Sequence, residues 1–147
     1  MCVIIDIPVV HRIFPSPHAD FRPLHAYLTD GRARMVYGGK VRREYLRIEW
    51  FRRLLVRLDQ QGSALRVADA PVDAASQKIR SKGLCKSNDH HVIALAQIGS
   101  VRLLCTDDNN LMCDFKNKEL LDKPRGKVYR YARHVNLLRE HCRKDPN

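Results

Sequence analysis

Five carboxylates of this chain stand where such side chains can do chemistry: Asp6, Glu44, Asp89, Asp107 and Asp108. Asp6 closes the apolar run Cys2, Val3, Ile4, Ile5. Asp107 and Asp108 follow a second apolar run, Val101 to Cys105, after Thr106. Asp89 opens a helical stretch and shares a face with Val92, Ile93 and Ala96. Glu44 falls between Val41 and Ile48, inside an apolar stripe at about 100° per residue. A carboxylate on that face meets the core or its rim, and burying it unpaired is costly. Arg52, near the edge of the same stripe, is its candidate partner. Four or five ionised carboxylates gathered at one place repel one another. A hard divalent cation relieves that repulsion, and Mg²⁺ or Mn²⁺ suits an all-oxygen set with few carboxylates. Such an ion can activate water and orient a phosphodiester for hydrolysis.

Each acid also has a plain structural role open to it. Asp89 complements a helix dipole. Asp107, Asp108 and Asn109 make a turn. Asp6, two residues before Pro8, belongs to loop chemistry. Glu44 alone has no surface position on its face. The order and placement of the set point to a site more strongly than any one member.

Something must bring these acids together. Residues 2–6, 33–37, 64–68 and 101–105 have the composition of short buried strands, and Val128 and Tyr129 of an edge strand. Four prolines (Pro8, Pro15, Pro17 and Pro23) predict irregular chain until a short helix near 20–29. Apolar spacings of three and four predict one helix over 40–60, ended by Gly62. Further helices are expected over 71–81, opened by Pro71, and 89–98, with Ser87 and Asn88 as cap. Tyr131, Val135, Leu138 and Cys142 predict a final amphipathic helix. Residues 107–126 read as polar and irregular, with at most one helical turn. Alternating strand and helix predicts an α/β fold with helices on both faces of a central parallel sheet of four to five strands, in one domain spanning 1–147. In such sheets ligands bind beyond the carboxyl ends of the strands, where Asp6, Asp107 and Asp108 are expected.

Charge bears on partners. Lys and Arg total 27 against 16 Asp and Glu, a net +11 that favours polyanions, nucleic acid above all. Arg42, Arg43, Arg47, Arg53 and Arg57 form a basic face on the long helix: a solvated surface or a track for an RNA backbone. Tyr129, Arg130, Tyr131 and Arg133 interleave rings and cations, as a clamp for a single strand does. The seven histidines lack the HxxxH spacing of a helical metal pair and are expected mostly at the surface, with His90 or His91 as a candidate substrate contact. The apolar opening meets Asp6 too soon for a signal peptide, and no run reaches the roughly 18–20 residues of a membrane span. Five cysteines without CxxC argue against a disulfide framework or zinc knuckle. They are expected as small core residues in a reducing cytoplasm.

Four blocks resemble the PIN-domain family: Val3 to Asp6 (VIID), Tyr37 to Leu46 (YGGKVRREYL), Ser87 to Ala96 (SNDHHVIALA) and Leu103 to Leu111 (LLCTDDNNL). The last two are the most specific, and the match runs from residue 2 to about 115. The resemblance implies a three-layer α/β/α sandwich and a Mg²⁺- or Mn²⁺-dependent ribonuclease. Carried over by position, it implies Asp6, Glu44, Asp89 and Asp108 as metal ligands, Asp107 close by, and Thr106 as a hydrogen-bonding helper. Which of Asp107 and Asp108 binds directly stays open. Pro8 departs from the pattern, where a small polar residue is expected, and prolines interrupt the helix before the second strand. Many small bacterial members are toxins held by an antitoxin, so an antitoxin or a homodimer joins RNA as a candidate partner. A non-catalytic RNA-binding or scaffold module of the same fold is the alternative. A phosphoacceptor domain would need paired acids after the first strand, and only Asp6 is there.

Overall fold

In a computed structural model, which describes residues 1–139, five short strands form one parallel sheet: β1 (Cys2–Ile5), β2 (Arg34–Tyr37), β3 (Ala64–Arg66), β4 (Leu103–Cys105) and β5 (Lys127–Tyr129). Their order is β3-β2-β1-β4-β5. Helices flank the sheet, giving the expected α/β architecture of three layers. They are α1 (Val10–Ile13), α2 (Arg22–Thr29), α3 (Gly39–Leu46), α4 (Glu49–Gln60), α5 (Asp69–Lys82), α6 (His90–Ile98) and α7 (Asn109–Phe115). Val3, Ile4 and Ile5 of β1 are wholly buried, as are all three residues of β4, which is why these strands are continuously apolar rather than alternating. No described helix is long and apolar enough to cross a membrane.

The order contains one reversal of direction. From β1 the chain builds outward through β2 to β3, then returns to the other side of β1 to lay down β4 and β5. The gap between β1 and β4 is therefore the topological switch point, where the two connections leave in opposite directions and open a crevice at the carboxyl edge. Ile5 pairs with Cys105 across that gap, so Asp6 and Thr106 emerge side by side.

Several elements differ from their sequence expectations. Pro8 and its neighbours do not block regular structure: a 3₁₀ turn over Ile7–Val9 runs straight into α1. Pro8 occupies the first turn, where a proline's missing N–H costs nothing, and the Asp6 side chain caps that turn by accepting the Ile7 N–H at 3.0 Å. The single helix expected over 40–60 is two. Ile48 is extended between them (φ −95°, ψ 106°), and the break lets both Tyr45 and Phe51 turn inward, their rings edge to face at 5.0 Å. No glycine or proline marks the break, so it has no local signal. Residues 109–115 form a full helix rather than a turn, with Leu111 and Phe115 buried one turn apart. The final segment is a 3₁₀ helix over Ala132–Arg139 that buries Leu138; Cys142 lies outside the described residues. Cys85, Cys105 and Cys113 are free, and only Cys105 is a fully buried core residue. Cys2 is held in a disulfide, which its sequence context did not announce.

Two contacts set α3 on the sheet. The buried Tyr45 hydroxyl donates to the Ile5 carbonyl at the end of β1. Gly38, between β2 and α3, lies so close to β3's exit that a Cβ there would stand 2.5 Å from the Val67 carbonyl oxygen. Gly38→Ala is therefore expected to destabilise the chain by about 1–3 kcal/mol, the usual range for overpacking. Urea denaturation should show a lower midpoint at unchanged slope; an unshifted midpoint would mean the backbone is not tightly seated there.

Candidate active site

A cleft of about 620 Å³ opens at the carboxyl edge, and all five carboxylates singled out from the sequence line it, together with Ile7, Pro8, Lys40 and Arg47. They come from four separate places in the chain: the end of β1, the last turn of α3, the N-terminus of α6 and the loop after β4.

Asp6 is at the floor, 9% exposed. Its Oδ2 accepts the Thr106 hydroxyl at 2.7 Å and its Oδ1 the Ile7 N–H. Burial pushes its carboxyl up to about 6; the Thr106 hydrogen bond works against that shift, and the Asp89 charge adds to it. Asp89 precedes α6 at its N-cap position, yet its side chain makes no capping bond. Its carboxyl is raised by burial first and then by Asp108, with Lys40 opposing. Glu44 is likewise raised by burial, opposed by Lys40 and supported by Asp89. These three acids thus share a desolvated space in which each charge makes the next harder to hold.

Asp107 and Asp108 have different duties. Asp107 is exposed and ion-paired with Arg12, while Arg130 approaches to 3.9 Å. Asp108 caps α7, accepting the Leu111 N–H at 3.0 Å, and its own N–H donates to Thr106 Oγ1 at 3.1 Å. The hydroxyl of Thr106 therefore links Asp6 to the start of α7.

Arg52 is not Glu44's partner. With the helix broken at Ile48, Arg52 lies in a different hollow beside Tyr37, Leu55 and Asp59. The neighbour of Glu44 is His91, whose Nε2 sits 3.3 Å from Glu44 Oε1 and 3.9 Å from Asp89 Oδ1. His91 is buried rather than at the surface. Burial, with help from the Lys40 charge, pushes its pKa down to about 4, so near neutral pH it is an uncharged companion of the two acids. Sequence reading also passed over Lys40, one helical turn before Glu44, and Asp114. The buried Asp114 carboxylate accepts the N–H groups of Lys86 (2.7 Å) and Ser87 (2.9 Å) and the Ser87 hydroxyl (2.6 Å). Ser87 Oγ in turn accepts the Asp89 N–H at 3.3 Å. Asp114 was indistinct because it lies in a polar stretch; its spacing of three from Leu111 was the available clue.

The basic face of α3 and α4 does not form one continuous track. Arg43 is bonded to Asp73 at 2.8 Å, Arg42 lies 3.5 Å from Asp69, and Arg53 pairs with Glu49. Arg47 lines the acid cleft, whereas Arg53 and Arg57 border an apolar hollow with Trp50. Of the aromatic–basic segment, Tyr129 is core, with its hydroxyl donating to the Asp20 carbonyl at 2.6 Å. Tyr131 is exposed, with the Arg133 guanidinium 4.9 Å from its ring centre.

Among the described residues, no three His, Cys, Asp or Glu side chains converge closely enough to enclose a bare ion. The donor set still fits Mg²⁺ or Mn²⁺. These ions take hard oxygen ligands, and Mg²⁺ usually keeps several waters while binding one or two carboxylates. A roomy cleft whose carboxylates range from the buried Asp6 through the half-buried Glu44 and Asp89 to the exposed Asp108 suits a hydrated ion better than a closed cage. No family model, no curated protein and no solved structure matches this chain.

The position of Asp6 has a measurable consequence. A carboxyl raised from 3.8 to about 6 binds its proton more tightly in the folded chain than in the unfolded one. The folded state is then favoured at acid pH and loses that advantage as pH rises from about 4 through 6. Asp6→Asn, free of this burden, should be more stable than the parent by up to about 3 kcal/mol at pH 8 without divalent ions, with the gap closing near pH 4. Thermal melts of both proteins across that range test it; a gap independent of pH would show that Asp6 titrates normally.

Proposed function

We propose that this chain is a metal-dependent endoribonuclease of PIN-domain type. The observation that carries the reading is the gathering of Asp6, Glu44, Asp89 and Asp108 around one cleft at the switch point of the sheet. Three of these carboxyls are raised by burial and by one another. A stability role alone does not account for them, because Asp89 caps nothing through its side chain and Glu44, set beside His91, is raised by burial despite the opposing charge of Lys40. The order of these residues along the chain is also the order that the family resemblance implies.

Asp6, Glu44, Asp89 and Asp108 are the residues that would hold Mg²⁺ or Mn²⁺. Asp108 is preferred over Asp107, which is committed to Arg12. The bound ion would supply an activated water and charge stabilisation for phosphodiester hydrolysis. Thr106 fixes the Asp6 carboxylate by its hydrogen bond and positions α7 through the Asp108 N–H. Lys40 and Arg47 put positive charge on the rim of an otherwise acidic cleft and can bind the phosphate oxygens of the strand to be cut.

The test is cleavage of an end-labelled single-stranded RNA with Mn²⁺ or Mg²⁺, with and without chelator. Internal cleavage that requires the ion is the expected result. Cleavage that survives chelation would overturn the reading. Salt-sensitive RNA binding without any cleavage would replace it with a non-catalytic RNA-binding module.

A further inference from the structure

Beside the acid cleft lies a second hollow, of about 570 Å³, whose character is opposite. It is enclosed by α3, α5 and the start of α6, elements that pack on one another. Lys40, Gln77, Arg80, Asn88 and His90 line it, along with the paired Arg43 and Asp73. Lys40 and His91 form the wall between the two spaces: Lys40 lines both, and His91 lines the second hollow while its Nε2 reaches toward Glu44. Asp89 belongs to the acid side and its neighbours Asn88 and His90 to the other.

The charge pattern divides in the same way. Asp73 answers Arg43, which leaves Lys40 and Arg80 as the cations facing the second hollow. Two side-chain amides, Gln77 and Asn88, add paired donors and acceptors of the kind that read the edge of an unstacked base. A volume of this size suits a single small ligand.

We infer that this hollow holds the nucleotide adjoining the phosphodiester to be cut, within a single-stranded RNA. Its phosphate lies against Lys40 and Arg80, and its base edge meets Gln77 and Asn88. The inference rests on the nuclease reading for the cleavage but not for the binding itself. Without an ion the acidic floor of the cleft repels a polyanion and the adjacent hollow attracts one, so the strand is anchored from beside the site of reaction, with Lys40 shared between the two spaces. The amides would then give preference for certain bases at one position next to the cleaved bond.

The experiment measures anisotropy of a fluorescent 12-nucleotide single-stranded RNA, in EDTA so that no turnover intervenes, over a range of salt. The full chain is compared with an Arg80→Ala/Gln77→Ala double variant and with Arg34→Ala. Arg34 is exposed at the opposite, amino edge of the sheet, and its removal controls for net charge. The double variant should bind about five- to tenfold more weakly, with a log–log salt slope shallower by about 0.7–1. Arg34→Ala should change affinity less than about twofold. Circular dichroism and melting confirm that the variants fold. Equal losses in both variants, no loss in the double variant, or no RNA binding by the parent would each overturn the proposal. If the double variant loses affinity selectively while the parent never cleaves RNA, the hollow stands and the nuclease reading fails. If the parent cleaves but the double variant binds normally, the reverse holds.

Discussion

Replacing Asp89 by asparagine is expected to lower ion-dependent RNA cleavage by roughly 10²–10³-fold, the scale of losing one group that stabilises charge in the transition state, with little change in fold. The substitution keeps size and shape and removes only the negative charge. Because the Asp89 side chain makes no N-cap hydrogen bond, the helix forfeits little. The carboxyl is raised by burial and by Asp108, so removing its charge should leave the protein as stable as the parent or slightly more so at neutral pH in the absence of metal. Loss of activity with retained or improved stability is the signature of a residue kept for chemistry. Parallel rate and melting measurements decide it. If Asp89→Asn still cleaves at a tenth of the parental rate or better, Asp89 does not hold the ion and the proposed site is wrong.

Asp114→Ala should do the opposite and unsettle the fold. Three donors converge on this buried carboxylate: the N–H groups of Lys86 and Ser87 and the Ser87 hydroxyl. Truncation leaves them without their acceptor, at about 1–3 kcal/mol for each buried unsatisfied group. Allowing for partial relaxation and water entry, a loss of about 3–4 kcal/mol is expected, large against the 5–15 kcal/mol that holds a typical domain together. Asp114→Asn keeps an acceptor oxygen and should lose about half as much. The effect should also reach the site, because Ser87 holds the Asp89 N–H and the loop it anchors leads directly into α6. Chemical denaturation gives the stability, and calorimetric titration with Mn²⁺ should show weaker binding in the surviving folded protein. A loss below about 1 kcal/mol in the alanine variant would show that the loop before Asp89 is held by something else.

Much of the frame was legible in the chain itself. Continuous apolar runs marked β1 and β4 as buried strands, since a parallel strand covered on both faces has no polar side to display; that they lie at the centre of the sheet came from the fold. Acids directly after those runs could be assigned to the carboxyl edge before any packing was known. Glu44 was conspicuous for being charged on an apolar face, and its place in the cleft agrees with that. These features are local: they depend on residue type, spacing and the period of the element.

Tertiary structure decided the rest. Nothing near Ile48 announces a helix break; it occurs because Tyr45 and Phe51 can then both enter the core. The choice between His91 and Arg52 as Glu44's neighbour followed from that break, which turned Arg52 away. The separate duties of adjacent Asp107 and Asp108 depend on Arg12, 95 residues earlier in the chain, and on the α7 amides. Asp114 acquires its role only when α7 is laid against the loop before α6. The raised carboxyls arise from burial and mutual repulsion among segments as far apart as residues 6 and 108. Sequence determined which side chains were candidates, because composition and periodicity are properties of neighbours along the chain; distance, desolvation and pairing belong to groups that meet only in the folded state, and those distinguished the acids of the cleft from the acids that merely hold it in place.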